Sequence, residues 1–148
     1  MPTTRTTVRL AAKQTIMNNI TKTQEIFELS APYDNIYQGK THRALFVCSA
    51  GLLRSATSAT IGSQLGLNAR AAGSKHYALV PVSVNLIAWA HTIYFVNEEN
   101  YLDVKDTFFG DAETTTWLIN KAVVWDIPDN YSYMQPELVE IVTNLLKF

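Results

Sequence analysis

The sequence places a single cysteine between an apolar segment and a short loop that ends in an arginine and a serine. The apolar residues 45–47 run directly into Cys48, and five residues separate Cys48 from Arg54 and Ser55. This order is typical of a strand, a tight loop and the first turn of a helix. A thiol at a helix N-terminus beside a guanidinium has a pKa well below the value of about 8.5 for free cysteine. The pattern therefore predicts a nucleophilic thiolate at Cys48.

The loop after Cys48 has the length of an oxyanion-binding loop. Its backbone N–H groups can converge above the sulfur and form a nest for a tetrahedral anion. Gly51 can supply the positive φ angle that such a loop commonly needs, and Arg54 can bind two anion oxygens at once. Ser55 can donate a hydrogen bond to the thiolate. We therefore expect a phosphate-binding set made of Ser49, Ala50, Gly51, Leu52, Leu53, Arg54 and Ser55.

A second interpretation is that Cys48 is only a small buried apolar residue at the end of a strand, as most lone cysteines are. A cysteine followed at this distance by Arg-Ser also occurs by chance. Its position at a predicted strand-to-helix junction, with a glycine inside the loop, favours the catalytic interpretation.

Length and composition limit the class of protein. The chain has 148 residues, of which 47% are hydrophobic and 17% are charged, as in a soluble globular domain. The formal net charge of −1 gives no reason to expect nucleic acid or a membrane as a partner. One cysteine excludes an intramolecular disulfide, and we expect a cytoplasmic protein. The three histidines share no metal-ligand spacing, so we predict neither a metal nor a cofactor, and we favour a monomer.

Segments rich in strand formers alternate with amphipathic segments, which predicts an α/β fold with a parallel sheet and helices on both faces. The predicted strands are 43–47, 68–72, 92–96 and 122–125, and the predicted helices are 55–65, 81–90, one after Asn97, 111–120 and one from Pro136. Apolar residues at four-residue steps between Val8 and Ile20 predict a further helix. We therefore expect an N-terminal helical extension, residues 1–40, that packs on a domain of residues 41–148.

Phosphoryl transfer to Cys48 needs an acid that protonates the leaving group. Ligands of parallel sheets bind outside the carboxyl ends of the strands, so acids that follow a strand are the candidates. Asp126 directly follows the last predicted strand, and Asp129 lies three residues later. Both remain open, with a small preference for Asp126 because it is nearer the strand end.

Aromatic residues follow two of the predicted strands and are candidates for the wall of a substrate cleft. Tyr131 and Tyr133 lie just beyond the candidate acids, and His76 and Tyr77 follow the second predicted strand. We include Tyr131 among the substrate-binding residues. The alternative is that these tyrosines pack on the surface.

Several of these segments resemble the low-molecular-weight protein tyrosine phosphatases, in particular their short bacterial and phage-type members. The resemblance covers about residues 43–148 and rests on the loop from Cys48 to Ser55, on Ala71-Ala72-Gly73-Ser74, on residues 89–97 and on residues 126–138. It implies a four-stranded parallel sheet, a phosphocysteine intermediate on Cys48, phosphate held by Arg54 and the loop amides, and an aspartic general acid near the C-terminus.

The chain also departs from the pattern of that family. Ala50-Gly51 stands where the family commonly has Gly-Asn, and Leu53 stands where it has a second cysteine. Glycine can replace asparagine at a left-handed position, so we expect the loop to form. The acid motif, Asp-Pro in the family, is stretched here over residues 126–129.

The sequence therefore favours a cysteine-dependent phosphomonoesterase, with protein phosphotyrosine as the expected substrate and the cytoplasm, of the host for a phage protein, as the expected location. An alternative is a non-catalytic phosphate-binding module. Arsenate reduction is a weaker alternative, because it needs resolving cysteines and Cys48 is the only cysteine of the chain.

Overall fold

The computed structural model of the protein describes residues 41–147. The predicted extension, residues 1–40, lies outside the described residues, so its helix and its packing on the domain stay predictions. The described chain contains these elements in order: β1 (Arg43–Cys48), α1 (Arg54–Gln64), β2 (Asn68–Gly73), α2 (Val84–Trp89), β3 (Thr92–Phe95), α3 (Glu98–Thr107), α4 (Ala112–Lys121), β4 (Ala122–Val124) and α5 (Pro136–Leu145). No helix among them is long and apolar enough to cross a membrane.

The four strands form one parallel sheet in the order β2-β1-β3-β4. The predicted α/β fold with a four-stranded parallel sheet is confirmed. The register places Cys48, the last residue of β1, beside Gly73, the last residue of β2, and Val47 beside Phe95 of β3. Because all strands are parallel, these carboxyl ends lie at one edge of the sheet, where ligands of such folds bind.

The core is built on both faces of the central strand β1, whose six residues are all buried. Successive side chains of a strand point to opposite faces, so Ala44, Phe46 and Cys48 share one face. That face packs against α1 and α5, through side chains that include Ile61 and Leu138. Leu45 and Val47 point to the other face and are fully buried as well. α2 and α4 pack against each other and contact β1 and β3.

Helix α2 begins three residues later than the sequence predicts. Pro81 forms an isolated bridge with Gly73 and extends the β2 edge instead of starting the helix. Ser83 is the residue that caps α2, because its hydroxyl accepts a hydrogen bond from the backbone N–H of Leu86 at 3.2 Å.

Gly73 allows two backbone segments to approach more closely than any other residue would permit. A Cβ atom at this position would lie 2.5 Å from the carbonyl oxygen of Ser49 and 2.8 Å from the carbonyl carbon of Ala50, and it would also overlap the Cβ of Ala78. Two of these neighbours are backbone atoms and cannot rotate away. The end of β2 therefore packs directly against the loop that follows Cys48.

We predict that Gly73→Ala destabilises the protein by about 1–3 kcal/mol, because the added methyl group forces the two segments apart. Gly110→Ala is the matched control, since a Cβ at Gly110 would meet no atom within 4 Å. Its effect should stay within about 0.5 kcal/mol. Urea denaturation of both variants measures the difference, and equal stabilities would contradict the packing described here.

Candidate active site

Cys48 and Arg54 stand at the two ends of one short loop, where a central strand gives way to a helix. Cys48 ends β1 and its side chain is almost fully buried, and Arg54 is the first residue of α1. Cys48 is a free thiol. The predicted strand, loop and helix are present, and the helix begins one residue earlier than expected.

The backbone carbonyls of the loop are turned away from the cavity by hydrogen bonds to the segment after β2. The carbonyl oxygens of Cys48, Ser49 and Ala50 accept from backbone N–H groups of residues 74, 75 and 79, at 2.7, 3.1 and 3.3 Å. In a trans peptide the N–H points opposite to the C=O, so the N–H groups of residues 49 to 51 face the other side. The N–H of Gly51 confirms this direction, because it donates to the sulfur of Cys48 at 3.3 Å.

Gly51 makes this turn possible. Its φ angle is +79°, in the left-handed region that costs a side chain roughly 1–2 kcal/mol. A Cβ there would also lie 2.9 Å from the carbonyl carbon of Ala72. Consecutive N–H groups that point to one side have the arrangement of an anion nest.

The surroundings of the Cys48 sulfur favour its ionised form over the ordinary thiol. The hydroxyl of Ser55 lies 3.0 Å from Sγ. Burial raises the pKa of the Cys48 thiol, but hydrogen bonds from the side chain and backbone of Ser55 and from the N–H groups of Gly51 and Leu53 outweigh it. The pKa therefore lies below the ordinary value of a thiol.

The N-terminus of helix α1 faces this site without a side-chain cap. Its N-cap residue, Leu53, makes no side-chain hydrogen bond to the helix, and its first turn contains no acidic residue. The side chains of Ser83, Asn97 and Asp111 cap α2, α3 and α4, whereas α5 also lacks a side-chain cap but has Glu137 in its first turn. A free helix N-terminus attracts an anion, so the missing cap is consistent with an anion as its natural partner.

Arg54 is a buried cation that is only partly satisfied. Its side chain is 3% exposed, Nη1 donates to the carbonyl oxygen of Ile127 at 2.9 Å, and Nη2 lies 3.6 Å from Oδ1 of Asp129. Its Nε has no hydrogen-bond partner among residues 41–147. A buried charge is costly without a compensating anion, and the exposed Asp129 supplies little compensation. An oxyanion in the cavity would complete the environment of Arg54.

The segment after β4 brings Asp129 to Arg54. The N–H groups of Trp125 and Ile127 donate to Phe95 and Val96 of the neighbouring strand, at 2.7 and 2.8 Å, so pairing continues beyond the end of β4. Trp125 and Ile127 are buried, and Asp126 between them is exposed on the other side. Asp129 is the first carboxylate beyond this paired stretch.

Two contacts with α1 hold the far end of the same segment. The backbone N–H of Met134 donates to Oγ1 of the buried Thr57 at 2.8 Å, and the hydroxyl of Tyr133 lies 3.1 Å from Oγ1 of Thr60. Met134 has a φ angle of +57°, an unfavourable value for a residue with a side chain. Residues 127 to 134 are therefore fixed at both ends over the start of α1.

These groups enclose a cavity of about 160 Å³ above the sulfur of Cys48. Gly51 and Ser55 contact the sulfur itself.

Asp126 and Tyr131 do not line the cavity, and Tyr131 packs against the core instead. Of the two candidate acids, Asp129 is the one that lines the cavity. Tyr77 lines the cavity, but His76 and Tyr133 do not. The lining residues are Cys48, Ser49, Ala50, Leu52, Leu53, Arg54, Tyr77 and Asp129.

Polar side chains behind the loop, which the sequence pattern does not indicate, also contact it. Asn100 of α3 is buried and donates to the hydroxyls of Ser49 and Ser74, at 3.2 and 3.0 Å. The spacing between Cys48 and Asn100 does not signal this contact, because Asn100 and Ser49 are far apart in the sequence and meet only in the folded chain.

Residues 41–147 contain no cluster of His, Cys, Asp or Glu side chains that could hold a metal ion.

Comparison with solved structures gives the same fold. A cysteine-to-serine mutant of YwlE arginine phosphatase with a phosphorylated active-site serine matches with a TM-score of 0.53 and 16% sequence identity, over 70% of this chain and 92% of the other. A YwlE mutant from Bacillus subtilis matches with a TM-score of 0.52 and 14% identity, over 71% and 96%. Neither the family models nor the curated protein sequences match this chain. The structural likeness confirms the low-molecular-weight phosphatase-like fold.

We predict that Ser55→Ala moves the alkylation of Cys48 by iodoacetamide to higher pH. The variant loses the hydroxyl that stabilises the thiolate, so the pKa of the thiol rises toward its ordinary value. Ser58→Ala is the control, because Ser58 is also fully buried in α1 but donates to the carbonyl of Arg54. Mass spectrometry of alkylation against pH measures the effect, and coincident profiles for wild type and Ser55→Ala would contradict it.

Proposed function

We propose that this chain is a cysteine-dependent phosphomonoesterase that hydrolyses phosphotyrosine in proteins through a phosphocysteine intermediate. The observation that carries this proposal is the sulfur of Cys48, which lies under an anion nest with the hydroxyl of Ser55 at 3.0 Å and the amide of Gly51 at 3.3 Å. The structural neighbour supports it, because that protein is a phosphatase whose mutant carries a phosphoryl group on its active-site serine.

The first step transfers the phosphoryl group to sulfur. The Cys48 thiolate attacks phosphorus, the S–P bond forms and the bond to the ester oxygen breaks. Negative charge on the phosphoryl oxygens is stabilised by the loop N–H groups and by Arg54. These donors are held by the fold before substrate arrives, so they need little reorganisation during the reaction.

Asp129 is the general acid that we propose for this step. It lines the cavity, and its carboxyl lies 3.6 Å from the guanidinium of Arg54. In its protonated form it gives its proton to the departing oxygen, which leaves as a neutral phenol. In the second step the same carboxylate takes a proton from water, which attacks phosphorus and breaks the S–P bond. The hydroxyl of Ser55 stabilises the departing Cys48 thiolate.

The walls of the cavity favour an aromatic ester. Leu52, Leu53 and Tyr77 line it, and each is exposed enough to contact a substrate ring. At about 160 Å³ the cavity is smaller than the roughly 300–1,000 Å³ of pockets that enclose whole ligands. It therefore suits a phosphoryl group and part of a ring, with the rest of the substrate outside.

Phosphoarginine is the competing substrate, because the structural neighbour is an arginine phosphatase. A phosphoarginine side chain carries a guanidinium, which a carboxylate would recognise. Asp129 is the one carboxylate among the lining residues, and it already faces Arg54. Because that carboxylate faces Arg54, the substrate side chain would meet mainly Leu52, Leu53 and Tyr77. These apolar walls support phosphotyrosine over phosphoarginine.

We predict that the wild-type protein hydrolyses a phosphotyrosine peptide faster than a phosphoarginine peptide of the same sequence. Cys48→Ser should abolish release of phosphate and still bind tungstate, because the nest and Arg54 remain. Release of inorganic phosphate and calorimetric titration with tungstate measure the two properties. Tungstate binding by wild type without turnover would indicate the non-catalytic module instead, and a preference for phosphoarginine would overturn the proposed substrate.

We also predict that Asp129→Asn slows hydrolysis of an unactivated phenyl phosphate by about 10²–10⁴-fold. Hydrolysis of para-nitrophenyl phosphate should fall much less, since para-nitrophenolate leaves without a proton. Asp126→Asn is the matched control and should affect both substrates little, because Asp126 lies outside the cavity lining. Steady-state rates decide between them, and exchanged behaviour of the two variants would make Asp126 the acid.

A further inference from the structure

We propose that Asn100 positions the hydroxyl of Ser49 as a hydrogen-bond donor to the oxyanion bound above Cys48. The proposal deepens the proposed function, and it rests on the anion site described above. It assigns an anion-binding role to the Ser49 side chain, beyond its backbone, and a positioning role to Asn100, a residue that does not line the cavity.

The first observation is the burial of Asn100. Its side chain is 1% exposed, and its Nδ2 donates to two hydroxyl oxygens, Ser49 Oγ at 3.2 Å and Ser74 Oγ at 3.0 Å. Its Oδ1 has no partner among the described residues, and an unpaired buried acceptor carries a cost. An apolar side chain would avoid that cost. The presence of an amide at position 100 is therefore best explained by its hydrogen bonds to the hydroxyls of Ser49 and Ser74.

The second observation is the direction of the hydrogen bonds around Ser74. The hydroxyl of Ser74 donates to Oδ2 of Asp103 at 2.9 Å, and the same carboxylate oxygen lies 2.9 Å from Nζ of Lys75. Because the proton of Ser74 is committed to Asp103, its oxygen is available to accept from Asn100. Asp103 thereby fixes which way the amide of Asn100 faces.

The hydrogen bond from Asn100 leaves the hydroxyl proton of Ser49 free to point into the cavity. The oxygen of Ser49 accepts from Asn100, which does not line the cavity, and no other hydrogen bond of this hydroxyl is found among residues 41–147. A serine hydroxyl that accepts one hydrogen bond still has its own proton to donate. Ser49 lines the cavity directly beside Cys48, so that proton is available to an oxygen of the bound anion.

The backbone of Ser49 is fixed at the same time. Its carbonyl accepts from the N–H of Lys75 at 3.1 Å, so both the peptide plane and the side chain of Ser49 are anchored. Ala50, Gly51, Leu52 and Leu53 have no polar side chain. Ser49 is therefore the one residue between Cys48 and Arg54 whose side chain can add a donor to the nest.

The test measures tungstate affinity by calorimetry, which does not depend on turnover. Ser49→Ala and Asn100→Ala should each weaken tungstate binding roughly tenfold to a hundredfold, the effect of one hydrogen bond to a charged group. The double variant should bind no more weakly than either single variant, since both changes remove the same donor. Unchanged affinity of Ser49→Ala, or additive losses in the double variant, would overturn the proposal.

Controls on helix α3 separate positioning from stability and from charge. Asn97→Ala removes the helix cap and lowers the melting temperature, but it should leave tungstate affinity unchanged because Asn97 does not contact Ser49. Asn100→Asp should weaken binding, because a carboxylate has no N–H group and takes the Ser49 proton itself. Asn97→Asp adds the same charge at the same helix end and keeps a capping oxygen.

The outcomes of these variants distinguish the two proposals. Equal losses of tungstate affinity in Asn100→Asp and Asn97→Asp would show that the added charge causes the effect. That result would overturn the proposal that Asn100 orients the hydroxyl of Ser49. A loss of affinity in Asn97→Ala equal to that in Asn100→Ala would show a merely structural role and would overturn it too. If wild type binds tungstate and the pattern holds without hydrolysis of any phosphate ester, this inference stands while the proposed function fails.

Discussion

The site depends on the hydrogen bonds that hold the carbonyls of Cys48, Ser49 and Ala50 away from the cavity. Without them the loop would be free to turn its carbonyl oxygens toward the sulfur, and those oxygens would repel an anion. The close contact at Gly73 brings the segment after β2 near enough to make these bonds. Cys48 and the buried Arg54 line one cavity, and this backbone frame fixes the direction of the loop between them.

Most of the fold follows from the sequence because its signals are local. The apolar residues before Cys48 have no polar alternation, as expected for a strand buried on both faces, and β1 is fully buried. The start of α2 was less predictable. Pro81 alone favours a first helical turn, but in the fold it pairs with Gly73. The helix begins at Val84 instead, with Ser83 as its cap. Such pairing depends on contacts between distant segments.

The part of the candidate site that lies in one loop could be predicted from the sequence. The parts that depend on contacts between separate segments were harder to predict. The placement of Cys48, Gly51 and Arg54 along one strand, loop and helix follows from seven consecutive residues. The choice between Asp126 and Asp129 depends on how far the last strand stays paired. The apolar alternation of Trp125 and Ile127 carries that signal, because a polar residue between two buried strand residues points outward. The contact of Asn100 with Ser49 has no local signal.

The anion nest is made of backbone atoms, and this has a consequence for how the protein can change. The side chains of Leu52 and Leu53 form part of the rim but make none of the hydrogen bonds that orient the loop. Exchange of these two side chains would therefore reshape the rim of the cavity and leave the hydrogen bonds that orient the loop in place. A side chain at Gly51 or Gly73 would instead meet backbone atoms at 2.9 Å or less. The loop can thus accommodate changes in its apolar side chains far more easily than changes at these two glycines.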